Sequence, residues 1–219
     1  MNEYNPLPNI ESGYLGCNPC IGSPSAPYVI GFYQTRDSLM DTDVYRSFLK
    51  NIEKRVRQSV TYRAYKGYLM ENGMDHCQIH GNINSEMADL EMHHAMLTLF
   101  DIALMVSEWY LNKTGYVSSF DVVQTIKDEH RLNELPLVML SKTPHQVYHA
   151  NSGVFVLHPD MFISKKWPLF FQKYKEGITQ DLAFKLIYYI KRAQEAGHTD
   201  DQGLLDLRDT IKDWSGIAS

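Results

Sequence analysis

Two short stretches constrain this chain most. Residues 90–96, "LEMHHAM", place a carboxylate and two adjacent histidines at the end of a strand-like segment. Residues 137–151, "LVMLSKTPHQVYHAN", run from four apolar residues into a histidine pair spaced H-x-x-x-H. The run 137–140 is short enough for a strand or a buried extended segment, and Pro144 suits the first turn of a helix that follows it. On such a helix His145 and His149 share a face and can share a metal ion. On a strand neighbouring side chains alternate, so His93 and His94 face opposite sides and Glu91 lies with His93.

The remaining pattern is mostly helical. Residues 1–41 are dominated at their start by Pro, Gly, Ser and Asn and form an irregular arm. Residues 42–71 carry a helical stripe (Val44, Phe48, Ile52, Val56) that breaks near Ser59 and resumes through Tyr62, Tyr65 and Leu69. The segment between His76 and His94 suggests two strands around a Gly-Asn turn. Helices are expected over 96–112, 118–130, 167–175, 179–195 and 201–214, with Gly115, Gly177 and Gly197 punctuating them. The predicted class is α+β, mainly helical. Its parts are the arm, a core over 42–150 with a helical insertion at about 96–130, and a C-terminal helical extension over 151–219.

Charge limits the function classes. The net charge is −5, which counts against a dedicated DNA-coating role, because phosphate binding by charge alone favours a basic protein. A local basic strip remains, with Arg46, Lys50, Lys54, Arg55, Arg57, Arg63 and Lys66 as candidate nucleic-acid contacts; a solvated helix face is the blander reading. Three cysteines are too few for a disulfide framework, and thiolates in a reducing compartment fit better. No apolar run reaches membrane-spanning length and residues 1–16 lack the regions of a signal peptide, so the expected location is the cytoplasm. For a phage or mobile-element product that is the host's cytoplasm.

At Glu91-Met92-His93-His94 and at Leu137–Leu140 followed by His145 and His149, the sequence resembles the HNH, or His-Me finger, nucleases, and within them the nuclease colicins. The resemblance covers about residues 60–150. It implies a ββα-metal core holding one divalent ion (Mg, Mn, Ni or Zn) on His93, His145 and His149. It implies His94 as the general base for water, with Glu91 orienting a ligand, in hydrolysis of DNA phosphodiesters, RNA being a further possible substrate. Histidine titrates where such a base must work, and a Lewis-acid cation stabilises the phosphate charge.

The chain also departs from that family. Pro136 stands where its middle Asn is expected, with Asn133 three residues earlier, and Ser141 and Pro144 occupy positions often held by a C-x-x-C. By the same resemblance Cys17 and Cys20 of the arm join Cys77 and His80 in a structural Cys₃His zinc site. The rival function is an inactive binding protein or a component of a larger assembly, with protein partners or a second copy docking on the C-terminal helices. An occluded His94 favours that rival. The aromatic segment at 167–190 offers Trp167, Phe171 and Tyr174 beside Lys165 and Lys166 for base stacking, but its spacing fits core or interface better.

Overall fold

A computed structural model describes residues 33–150 and 156–212, with only the backbone at 149 and 150. It is mainly helical with two small antiparallel sheets, an α+β architecture. The order is β1 (Tyr33–Thr35), α1 (Thr42–Gln58), α2 (Val60–Glu71), β2 (Leu90–His94), α3 (Leu99–Thr114), β3 (Tyr116–Ser118), α4 (Ser119–Arg131), β4 (Leu137–Ser141), α5 (Lys142–Ala150), α6 (Pro168–Lys173), α7 (Gln180–Glu195) and α8 (Gln202–Thr210). No described helix is long and apolar enough to cross a membrane.

Local chemistry accounts for the boundaries. The Asp41 carboxylate accepts the amides of Asp43 and Val44 and starts α1; Ser59 ends it and caps α2 through the Tyr62 amide. Thr98 and Asp101 form a reciprocal capping box at α3, and Gly115 closes that helix in the left-handed region at φ 84°. Met96, at φ 66°, is a strained non-glycine residue that turns the chain from β2 toward α3.

Two expectations are corrected. Residues 33–39 are not irregular: β1 pairs with β3, Tyr33 opposite Ser118, and a 3₁₀ turn follows over Asp37–Leu39. No hairpin forms between 76 and 94 beyond a single His76–Asn84 bridge, and β2 instead pairs antiparallel with β4, Leu90 opposite Ser141 and His94 opposite Leu137. The segment 96–130, expected as a helical insertion, contributes to the interior. Leu99, Ile102, Ala103, Met105, Val106 and Leu111 of α3 are buried, and the helix packs against α1 and α4 at the centre of the molecule. Its apolar residues surround more of the helix than an amphipathic stripe does, as burial on several sides requires.

The C-terminal aromatics belong to this interior. Trp167, Phe170, Phe171 and Tyr174 are buried, with Trp167 edge-on to Phe171 and Phe170 5.0 Å from Tyr174 between ring centroids. They are packing residues rather than a stacking platform for bases.

Candidate functional site

The pairing of β2 with β4 sets the histidines. Ala95 N–H donates to the Pro136 carbonyl and extends the ladder beyond His94, so Pro136 serves at a position that needs only an acceptor. Strand alternation then sends the two adjacent histidines apart. His93 meets His145 edge-on at 4.9 Å and Tyr148 at 4.8 Å between ring centroids. Glu91, on the same side, lies 2.5 Å from His145 Nδ1. His149 follows one turn later on α5; its side chain lies outside the described residues. A small cleft lies alongside, lined by Arg57, Met92, His93, His94, Thr98, Leu99 and His145.

His94 turns to the interior. It is only 5% exposed, and its Nε2 lies 3.0 Å from Nε2 of His130. His130 Nδ1 lies 2.7 Å from the Ile126 carbonyl, which can only accept, so His130 carries its proton on Nδ1. Its neutral Nε2 is therefore the acceptor, and His94 Nε2–H donates to it. Tyr62 packs edge-on to His130 at 5.1 Å and parallel to His94 at 6.4 Å, while Tyr65 closes on His130 at 5.7 Å. Burial holds the His94 pKa well below the ordinary imidazole value, with His130 and Arg57 adding to the effect. Burial likewise lowers His130 to about 4, against the Ile126 carbonyl, which favours the charged form. The pair is neutral at physiological pH.

His130 is the residue that sequence reasoning missed. It continues the buried Val122, Ile126 spacing of α4, so a polar ring on an apolar stripe was its only signal. Asn133, at φ 58°, accepts the Tyr65 hydroxyl at 2.6 Å and stays in the wall behind this pair.

The proposed zinc ligands are only half described. Cys17 and Cys20 lie outside the described residues. Cys77 is buried, and its Sγ accepts the His80 amide at 3.5 Å. Burial raises its pKa, but the Ser141 hydroxyl and the amides of Ser141, His80 and Ile79 outweigh this and the thiol falls below its ordinary value. The His80 side chain is exposed. Among the described residues, no three or more His, Cys, Asp or Glu side chains form a group that could hold a metal ion.

The basic candidates lie on α1 and α2. Lys50, Lys54, Arg55, Arg57 and Arg63 are exposed and Lys66 is half-buried. Arg57 donates to Glu53, Arg63 to the Gln58 carbonyl, and the Arg55 guanidinium sits over the Phe120 ring.

A family model described as Bacteriophage G278-like virion protein matches residues 29–213. The chain belongs to this family. No curated protein and no solved structure matches it. Membership corrects the HNH assignment, which rested on a handful of positions within about residues 60–150, whereas the virion-protein match runs through every described element. Short motifs of this kind can match by chance.

Proposed function

We propose that this member of the G278-like virion protein family is a structural component of the phage particle, made in the host cytoplasm and acting through contacts with other particle proteins. The observation that carries this reading is the closure of His94. A general base must reach water, and this imidazole, although it borders the cleft, is only 5% exposed with its Nε2–H committed to His130. The residue that would act as general base in an enzyme instead packs against His130. Apolar side chains left on the C-terminal helices fit a docking role: Phe184 and Tyr188, one turn apart on α7, are 40% and 55% exposed. Mass spectrometry of gradient-purified particles tests the reading. The protein should co-purify at a fixed copy number through high-salt washes, and its absence from particles would overturn the proposal.

A second reading retains metal-dependent cleavage of DNA or RNA. It is favoured by the meeting of Glu91, His93 and His145 beside a cleft bordered by Arg57. Here His93 and His145, with His149, would hold a divalent cation, which supplies Lewis-acid stabilisation of phosphate charge when bound. Arg57 would bind phosphate and Glu91 would orient the His145 ring. Nicking of supercoiled plasmid with Mg²⁺, Mn²⁺, Ni²⁺ or Zn²⁺, abolished by His145→Ala, would support it. Intact plasmid under all four ions would remove it.

A further inference from the structure

The outer face of α1 gathers charge that the interior does not use. Residues 44–70 hold seven basic side chains and one acidic, Glu53, in a chain whose net charge is −5. Arg46, Lys50, Lys54 and Arg57 follow at spacings of four, four and three. At about 100° per residue they occupy a wedge about 80° wide. Leu49, Ile52 and Val56 take the buried side of the same helix. The four cations span about 16 Å of rigid helix at 1.5 Å per residue. Asp43 stands on this side in the first turn, so the basic face begins at Arg46. Arg57 pairs with Glu53 at 3.0 Å, while Arg46, Lys50 and Lys54 have no carboxylate partner among the described residues.

We propose that this face of α1 binds the phosphate backbone of double-stranded DNA without reading its sequence. Protein interfaces place apolar or aromatic anchors among their charges, and this wedge has none. A line of cations on one helix instead suits phosphates, which position a duplex but carry no sequence information. An overall acidic chain keeps such contact confined to the one face. Arg57 ends the strip at the histidine cleft, but the contact does not depend on any chemistry there.

The test is fluorescence anisotropy of a labelled short DNA duplex with the full chain, titrated over a range of salt. Binding is expected at low salt, with log K falling against log salt at a slope of about −3 to −4 for four phosphates. Lys50→Glu/Lys54→Glu should weaken binding at least about tenfold and reduce the slope by about two. Lys191→Glu, an exposed cation on α7, should change neither, and circular dichroism checks that both variants are folded. No binding at low salt, or equal loss in Lys191→Glu, would overturn the proposal. Polyglutamate competing as well as unlabelled duplex at equal charge would also overturn it, in favour of an acidic protein surface. Any of these failures leaves the particle-composition result unaffected.

Discussion

His94 donates its Nε2–H to Nε2 of His130 across 3.0 Å inside the protein, a polarity fixed by the Ile126 carbonyl on the far side of His130. Long-range ¹H–¹⁵N spectra should show His94 protonated on Nε2 and His130 on Nδ1, both neutral well below pH 6.5. Stability follows from the same depression. Both pKa values fall on folding, so the unfolded chain binds more protons once the pH drops below about 6.5, the unperturbed imidazole value. Stability should be flat above that pH and decline as pH falls toward about 4, the value for His130. That group alone accounts for a loss on the order of 3 kcal/mol. Urea midpoints across pH 7.5 to about 4.5 check this, and a midpoint that rises as the pH falls would contradict the assignment.

Removing the acceptor should cost more than changing it. His130→Ala leaves the His94 N–H buried without a partner and opens a cavity, at roughly 3 kcal/mol together. His130→Gln offers a carbonyl oxygen for the same donor and should recover about 1 kcal/mol of that loss. Urea denaturation of the two variants at neutral pH measures the difference. Equal destabilisation would show that the hydrogen bond contributes little.

Two glycines should respond with opposite signs. A Cβ at Gly177 would run into the Met105 carbonyl and the Trp109 amide, both backbone atoms of α3 that cannot step aside. Gly177→Ala should therefore destabilise by roughly 3 kcal/mol or more, as overpacking against backbone does. Gly67, in the interior of α2, has nothing within 4 Å of that position. Gly67→Ala should stabilise by about 0.5–1 kcal/mol through helix propensity. Thermal melts of the pair check both signs.

Much of the fold could be read locally. The break at Ser59, the stop at Gly115 and the strand at Leu137–Ser141 follow from capping chemistry and short-range pattern, which act between near neighbours. What escaped was non-local. The pairing of β2 with β4 joins residues separated by all of α3 and α4, and nothing near Leu90 specifies that partner. The same limit applied to the site. Strand alternation separates the partners of His93 and His94, His145 for the one and His130 for the other. That His94 would end against His130 depended on how α4 packs on the rest of the chain, and no spacing within either segment encodes this.

The docking reading makes its own demand on α7. Phe184 and Tyr188 face outward, and Arg192 sits over the Tyr188 ring at 5.9 Å. Phe184→Glu/Tyr188→Glu should leave the melting temperature of the isolated chain within a few degrees, because surface substitutions seldom shift stability far. The same variant should lower the copy number in particles severalfold when it replaces the wild type during infection. Normal incorporation would move the docking surface elsewhere.

Lys173 offers the sharpest separation of charge from packing. Its ammonium bridges two buried carboxylates, lying 3.0 Å from Glu129 and 3.0 Å from Glu134, while the Tyr174 hydroxyl donates to Glu129 at 2.8 Å. The two carboxylates raise the Lys173 pKa against the opposing effect of burial. Lys173→Met keeps the side-chain length and removes the charge, so two like charges remain close in the interior. The usual cost of orphaning a buried charge is reduced because the Lys173 side chain is 39% exposed, leaving a loss of roughly 2–3 kcal/mol at pH 7. Lys173→Arg keeps the charge and should lose less than Lys173→Met. Urea denaturation of the two variants at pH 7 measures the difference, and equal losses would identify the effect as packing alone.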